Sequence, residues 1–200
     1  MGNTLRDFKK DRTEGEILRA AEILFSENGF FQTSIESIAE KAFVSRKTIY
    51  NYIASKEDIM VKIVNKRLLS WLENTKVHSQ WKLGPREKFV YIYRNLAKEF
   101  KKEKKLWIQV ILADGINHLR HFSQRAIMKD IIRCFKEILQ EGQNEGRFSK
   151  NLNPETLAIY LNAVQVQLCL EWVAGWPNSH SLSRKLQNSL DVFYSGIEER

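Results

Sequence analysis

A helical period in the apolar residues recurs along almost the whole of this sequence and constrains its fold more than any other feature. In the segment Glu14–Asn28, for example, Ile17, Ala21, Leu24 and Phe25 fall at i, i+4, i+7 and i+8, one stripe of a helix. Only three prolines and nine glycines interrupt the 200 residues, too few for the many turns of an all-β chain. We therefore expect an all-α protein of about nine helices.

Start and stop signals give the approximate helix boundaries. Asn28-Gly29 ends the first helix, and Thr33 with Glu36 three residues later resembles a capping box for the second. Asn153-Pro154-Glu155 is a stronger start, because it joins a cap residue, a proline at the first helical position and an acid near the positive end of the dipole. The expected helices are Glu14–Asn28, Thr33–Ala42, Ser45–Tyr52, Ser55–Val77, Arg86–Lys102, Lys105–Asn117, Ser123–Glu145, Asn153–Ala174 and Ser181–Ile197.

The length of the chain suits one or two compact domains. The expected helix from Ser55 to Val77 is long enough to leave a first domain and enter a second. We therefore predict a small domain over residues 1–55 and a larger helical domain over residues 56–200.

Charge alone does not identify a partner. The net charge of +8 is compatible with a polyanion, but residues 1–60 hold nine basic and ten acidic side chains. The basic excess lies instead in residues 82–105, with nine basic and three acidic side chains. Within the first domain, however, the stretch Lys41–Lys56 contains no acid, so the local pattern favours contact with an anion there.

That stretch has the composition of a helix-turn-helix. Ala39 supplies the small residue that two crossing helices need, and Lys41-Ala42-Phe43-Val44 supplies a short turn. On the following helix Val44 and Ile49 can face inward, which leaves polar and basic side chains outward, where a helix can enter a major groove about 12 Å wide. The side chains left facing outward are Ser45, Arg46, Lys47, Thr48, Tyr50 and Asn51.

The spacing of this region resembles the amino-terminal signature of the TetR family of regulators. The match covers about 50 residues: Glu16 to Phe30, Thr33-Ser34, Ile38-Ala39, Val44-Ser45, Thr48, Tyr50-x-Tyr52 and Lys56-Glu57. It implies a DNA-binding helix-turn-helix followed by a helical regulatory and dimerisation domain. Two departures stand out. Phe43 occupies a turn position where the family usually has glycine, so the turn is either remodelled or carries Phe43 on the DNA-facing rim, and Ile53 replaces the usual phenylalanine, one core residue for another.

The resemblance implies roles for nine residues in binding double-stranded DNA. Thr33 caps the second helix and offers its hydroxyl, or the free N–H groups of the helix, to a phosphate. Base and phosphate contacts concentrate at the start of the recognition helix, where Arg46 or Lys47 is expected to read a base edge. Backbone phosphates are the expected partners of the two tyrosines and of the lysine that opens the fourth helix. The full set is Thr33, Ser45, Arg46, Lys47, Thr48, Tyr50, Asn51, Tyr52 and Lys56.

The same resemblance implies a homodimer and a small apolar or amphipathic effector held in the second domain. The two carboxy-terminal helices carry surplus apolar surface, which favours a two-fold interface. Weak candidates to line an effector cavity are Tyr93, Trp107, Asn117 and His118, although core packing is the default for each. The expected function is a ligand-responsive repressor. The alternatives are the same fold on DNA with a protein partner or no regulation, and an enzyme with an incidental helical pair.

Other classes of function lack support in the sequence. No phosphate loop, catalytic triad or metal signature is visible, so we expect no enzyme, no cofactor and no metal site. Cys134 and Cys169 have no metal-site spacing and are expected to be small buried residues. No signal peptide is visible, and the most apolar stretch, Leu157–Gly175, contains enough polar residues to argue against a membrane span. We therefore expect a soluble, cytoplasmic protein.

Overall fold

The expectation of an all-α chain is confirmed by the structure, a computed structural model that describes residues 5–77, 82–114, 126–175 and 181–198. In these ranges, apart from a single bridge pair between Phe148 and Glu198, there is no β-structure. The described helices are α1 Leu5–Asn28, α2 Ile35–Lys41, α3 Arg46–Tyr52, α4 Lys56–Val77, α5 Pro85–Lys102, α6 Lys104–Asp114, α7 Ala126–Asn144, α8 Pro154–Ala174 and α9 Leu182–Ile197.

The helices group into two compact units. Unit 1 contains α1, α2 and α3, with α4 as far as Arg67 and α6 from Lys105; unit 2 contains the rest. Two helices, α4 and α6, therefore contribute residues to both units. The proposed division into domains at residues 55 and 56 stays a prediction.

Unit 1 is built around the buried stripe of α1. Ile17, Ala21 and Phe25 are fully buried, as the helical period predicts. The predicted start of α1 at Glu14 is wrong, because the helix begins nine residues earlier at Leu5. Within the added turns residues 8–12 are exposed, and Arg12 forms an ion pair with Glu16 one turn on. With no apolar stripe, this extension leaves no periodic signal in the sequence.

Unit 2 is a bundle of helices around aromatic and branched side chains. In it, α7 packs against α8 and α5, and α9 packs against α5 and α8. Phe89 and Phe135 pack edge to face in the core, with ring centroids 5.4 Å apart. Lys88 is 5% exposed and donates to both carboxylate oxygens of Glu141, so the buried charge has a partner.

Helix α8 begins and ends as its sequence predicts. The side chain of Asn153 accepts hydrogen bonds from the backbone N–H groups of Glu155 and Thr156, and Gly175 ends the helix in the left-handed conformation. The sequence was expected to be too polar here for a membrane-spanning helix. By length and composition alone that expectation is wrong, because Pro154–Ala174 is long and apolar enough to cross a membrane. That is weak evidence for a span, since the core helix of a soluble protein meets the same test.

Both cysteines are free and buried, as expected. Burial raises the pKa of the Cys169 thiol well above its ordinary value, which keeps it protonated at neutral pH. Among the described residues no group of three or more histidine, cysteine or acidic side chains could hold a metal ion.

Candidate nucleic-acid interface

Helices α2 and α3 and the turn between them form a short helical pair. Val44 N–H donates to the carbonyl of Ala39, and Phe43 N–H donates to that of Glu40, so the turn is fixed by backbone bonds of 3.0 and 3.1 Å. Ala39 is 5% exposed, as a crossing point requires, and Ile49 of α3 is fully buried. The predicted helix-turn-helix is therefore present, with Ile49 buried and Val44 half-buried.

The start of α3 is capped by its own hydroxyls. The side chain of Ser45 accepts from the backbone N–H of Thr48 at 3.0 Å, and the two hydroxyl groups are 2.8 Å apart. Ser45 is exposed and Thr48 is half-buried. Both hydroxyls lie at the amino-terminal end of α3, the end that helix-turn-helix proteins present to base edges.

The predicted DNA-binding residues differ in how far solvent reaches them. Ser45, Arg46, Lys47, Tyr50 and Asn51 are exposed, Thr48, Tyr52 and Lys56 are half-buried, and Thr33 is buried. The exposed members all belong to α3 or its cap, so the polar face that the helical period predicted is open to a partner. The structure does not test their roles on DNA.

The predicted capping role of Thr33 is wrong. Helix α2 is capped by Ser34, whose side chain accepts from the backbone N–H of Ser37 in a reciprocal capping box. Thr33 is 2% exposed, and its hydroxyl is within hydrogen-bonding distance of the carbonyl oxygens of Gly29 at 2.8 Å and Leu24 at 3.3 Å. It therefore closes the end of α1 instead, and the exposed hydroxyl at this helix start belongs to Ser34.

Arg46 is held on the surface by two neighbours that the sequence did not indicate as partners. Its guanidinium lies 2.7 Å from the carboxylate of Glu36 on α2 and 5.5 Å from the ring centre of Tyr50. A hydrogen bond with Tyr50 and the charge of Glu36 raise the pKa of Arg46 further above its ordinary value. Both members of the ion pair are more than half exposed, so water screens it and it holds Arg46 only weakly.

Lys56 anchors the start of α4, the position that the sequence predicted for it. Its ammonium donates to the carbonyl oxygens of Phe30 and Thr33, both at 2.9 Å, and lies 4.4 Å from the ring centre of Phe30. The backbone N–H of Phe30 in turn donates to the side chain of Gln109 on α6 at 2.8 Å. The turn between α1 and α2 is thus tied to both α4 and α6 within unit 1.

The turn before α3 carries Phe43 on the surface. Phe43 keeps a positive φ of 55°, the conformation that glycine adopts easily, and its side chain is 96% exposed. Phe31, at the turn between α1 and α2, is also exposed, at 66%. The exposure of Phe31 was not predictable, because nothing in a run of two phenylalanines indicates which of them faces solvent.

Comparison with known proteins relates these features to a family of bacterial regulators. Residues 17–63 match the family model described as bacterial regulatory proteins, tetR family. The chain is 24% identical over 187 residues to the fatty acid metabolism regulator protein of Bacillus subtilis strain 168, covering 92% of this chain and 95% of the relative. Residues 17–63 are thus similar to the amino-terminal region of TetR-family regulators, and nearly the whole chain is similar to a bacterial regulator.

Solved structures show a similar likeness. FadR of Thermus thermophilus, a TetR-family transcriptional repressor solved in complex with lauroyl-CoA, is 25% identical with a TM-score of 0.77, covering 94% of this chain and 96% of that one. FadR of Bacillus halodurans, a fatty acid degradation regulator, is 20% identical with a TM-score of 0.73, covering 94% and 97%. At that identity the second likeness shows the fold alone.

The family and the relatives that this chain matches are transcriptional regulators, the class of function that its sequence predicted. The structure gives little information about the weak candidates for an effector site. Tyr93 in unit 2 is 2% exposed and its hydroxyl donates to the carbonyl of Leu161, while Trp107, which lies in unit 1, is 4% exposed. Burial raises the pKa of Tyr93 well above its ordinary value. Asn117 and His118 lie outside the described residues.

Proposed function

We propose that this regulator is a ligand-responsive repressor that binds a near-palindromic operator as a homodimer and releases it when an acyl-CoA occupies the helical domain. The observation that carries the DNA-binding half is the exposed, acid-free face of α3, with Arg46 and Lys47 in its first turn. In a dimer, two such helices meet half-sites roughly 34–36 Å apart along the duplex.

We assign the residues of α3 different tasks on DNA. Lys47 is exposed in the first turn of α3, which suits a base edge or an adjacent phosphate. Arg46 reads a guanine after leaving Glu36, since the two N–H groups of a guanidinium match guanine O6 and N7. Tyr50, which is 46% exposed, and Tyr52 donate to phosphates, and Ser34 replaces Thr33 as the hydroxyl at the start of α2.

Binding to a fragment of the regulator's own promoter, measured by fluorescence anisotropy, tests these tasks. We expect Lys47→Ala to weaken binding roughly tenfold, the size of one lost base or phosphate contact. Tyr50→Phe, which removes only a hydroxyl, has a smaller effect. Lys150→Ala, an exposed lysine in the loop before α8, is the matched control and changes binding little. A dimer that binds equally well after the first two changes contradicts the proposal.

The salt dependence of binding separates the two kinds of contact. If Lys47 neutralises a phosphate, Lys47→Ala lowers the slope of log affinity against log salt by about one, whatever the DNA sequence. If it reads a base, the variant instead loses discrimination at one operator position. Arg46→Ala is expected to behave in the second way.

The regulator's relatives support an acyl-CoA as effector. One is a fatty acid metabolism regulator that matches over nearly the full length of both chains, and another holds lauroyl-CoA in its crystal structure. An acyl thioester is also an amphipathic molecule, the class expected from the sequence. The ligand can act only if it binds the DNA-free state more tightly than the DNA-bound state.

Titration of the protein–promoter complex tests the effector. We expect lauroyl-CoA to displace the DNA in a saturable way, while coenzyme A without an acyl chain does not. DNA binding that lauroyl-CoA leaves unchanged would contradict this effector and would favour regulation by a protein partner.

We propose that the two domains have separate roles. Residues 1–55 contact DNA, and residues 56–200 bind the effector and form the dimer. A repressor must reach chromosomal DNA, so we assign the protein to the bacterial cytoplasm.

A further inference from the structure

Unit 2 contains a cavity of about 260 Å³ that none of the assignments above uses. It is lined by side chains from the last two turns of α4 and from α5. Ligand pockets commonly measure 300–1,000 Å³, so a space of this size suits one polar portion of a larger ligand. The residues that matter here are Trp71, Asn74, Tyr91, Asn95, Lys98 and Lys102.

The lining is rich in hydrogen-bond donors. Trp71 is 7% exposed and its indole N–H makes no hydrogen bond, although a buried donor without an acceptor is costly. Lys98 and Lys102 are exposed, stand one turn apart on α5 and both line the cavity, and the Lys102 ammonium also lies 3.9 Å from the carboxylate of Glu103. Glu99 also lines the cavity, but it is already engaged in a contact of its own.

The helix dipole explains only part of this arrangement of lysines and indole N–H. Lysines are common in the last turn of a helix because they complement the negative end of its dipole, and Lys102 fits that description. The helix dipole does not account for a buried, unbonded indole N–H beside the same opening. Acceptor oxygens and negative charge from a ligand would satisfy both features.

We propose that this cavity holds the phosphate groups of the effector, with Lys98 and Lys102 contacting the diphosphate of a coenzyme A thioester. This inference rests on the proposed acyl-CoA function and specifies where the charged half of that molecule binds. It also suggests how binding reaches the DNA-binding unit. Trp71 and Asn74 belong to α4, the helix that starts at Lys56 in unit 1 and continues into unit 2.

Two double variants of equal charge change test the site. Lys98→Gln with Lys102→Gln removes both cavity ammonium groups. Arg94→Gln with Lys101→Gln removes two positive charges from exposed positions of the same helix that do not line the cavity. The affinity of each dimeric protein for lauroyl-CoA is measured by isothermal titration calorimetry, with promoter binding as a check that both variants fold.

We expect the cavity pair to weaken lauroyl-CoA binding at least tenfold and the control pair less than threefold. Trp71→Phe, which removes the N–H and keeps the ring packing, weakens it by a smaller factor. An equal loss in both pairs, or no loss in the cavity pair, overturns the site but leaves the effector in place. A wild-type protein that binds its promoter but not lauroyl-CoA overturns the proposed effector and this site with it.

Discussion

Phe43 is the one non-glycine residue with positive φ in the part of the chain that the structure describes. A side chain in this conformation costs roughly 1–2 kcal/mol, because Cβ approaches the backbone carbonyl. With 96% of the side chain exposed, packing offsets little of that cost. The turn therefore keeps the geometry of a glycine turn at the expense of stability.

Replacing Phe43 by glycine should stabilise the protein. We expect Phe43→Gly to raise the free energy of unfolding by about 0.5–1 kcal/mol. Relief of the strain raises it, and the greater freedom of glycine in the unfolded chain offsets part of that gain. The measurement is urea denaturation followed by circular dichroism. Phe43→Ala is the control, because alanine keeps Cβ and should give no such gain. A variant with glycine that is no more stable than the one with alanine would contradict the assigned strain.

Single residues also mark where sequence reasoning stops. Two overlapping pairs, Thr33 with Glu36 and Ser34 with Ser37, both have the spacing of a capping box. Tertiary packing decides between them, because Thr33 is drawn into the end of α1. In the same way, the exposed face of α3 follows from its period, whereas the contact of Arg46 with Glu36 joins two helices and has no local signature.

At the scale of helices, the end of α7 depends on Gly142. Arg147 and Phe148 donate backbone hydrogen bonds to the carbonyl of Gly142, at 2.9 and 3.2 Å. The ring of Phe148 is buried over this position and stacks on Tyr194 of α9, with ring centroids 6.0 Å apart. A Cβ atom on Gly142 would lie 2.1 Å from Cδ2 of Phe148.

Alanine at two helical glycines should therefore have opposite effects. We expect Gly142→Ala to lower the free energy of unfolding by about 1–3 kcal/mol, because the buried Phe148 ring must move. Gly196→Ala in α9 meets no atom within 4 Å and should be neutral or stabilising by up to about 1 kcal/mol. Thermal unfolding of both variants checks the pair. Equal melting temperatures would show that the Phe148 ring yields freely.

Helix boundaries were predictable where a local signal sets them. The cap at Asn153 and the left-handed Gly175 bound α8 as the sequence predicts, and Ser55 caps α4 through the backbone N–H of Asp58. The first turns of α1 lack such a signal, because exposed charged residues form helix without a buried stripe. The start of α1 was therefore predicted wrongly, because no periodic pattern of apolar residues marks it.

At the scale of the molecule, α8 has one face buried in unit 2 and another face exposed to solvent. Leu161, Cys169 and Val173 are buried in unit 2, whereas Tyr160 is 62% exposed and Val164 is 46% exposed. The composition of this helix, which alone could suit a membrane, is explained if the second face is covered by another protein surface. A second copy of the chain is the natural cover, since closed two-fold dimers are the commonest assembly.

A charge on that face should separate the dimer and, with it, abolish tight DNA binding. We expect Val164→Asp to give a monomer at micromolar concentration in analytical ultracentrifugation, because an unpaired carboxylate in an apolar interface is strongly unfavourable. Helix content should be unchanged, since the side chain is exposed in the single chain. Operator affinity should fall at least a hundredfold, because one recognition helix then binds one half-site without the contribution of the other. Leu83→Asp, at an exposed apolar position just before α5, is the matched control and should stay dimeric. A Val164→Asp protein that remains a dimer would place the interface on a different surface of unit 2.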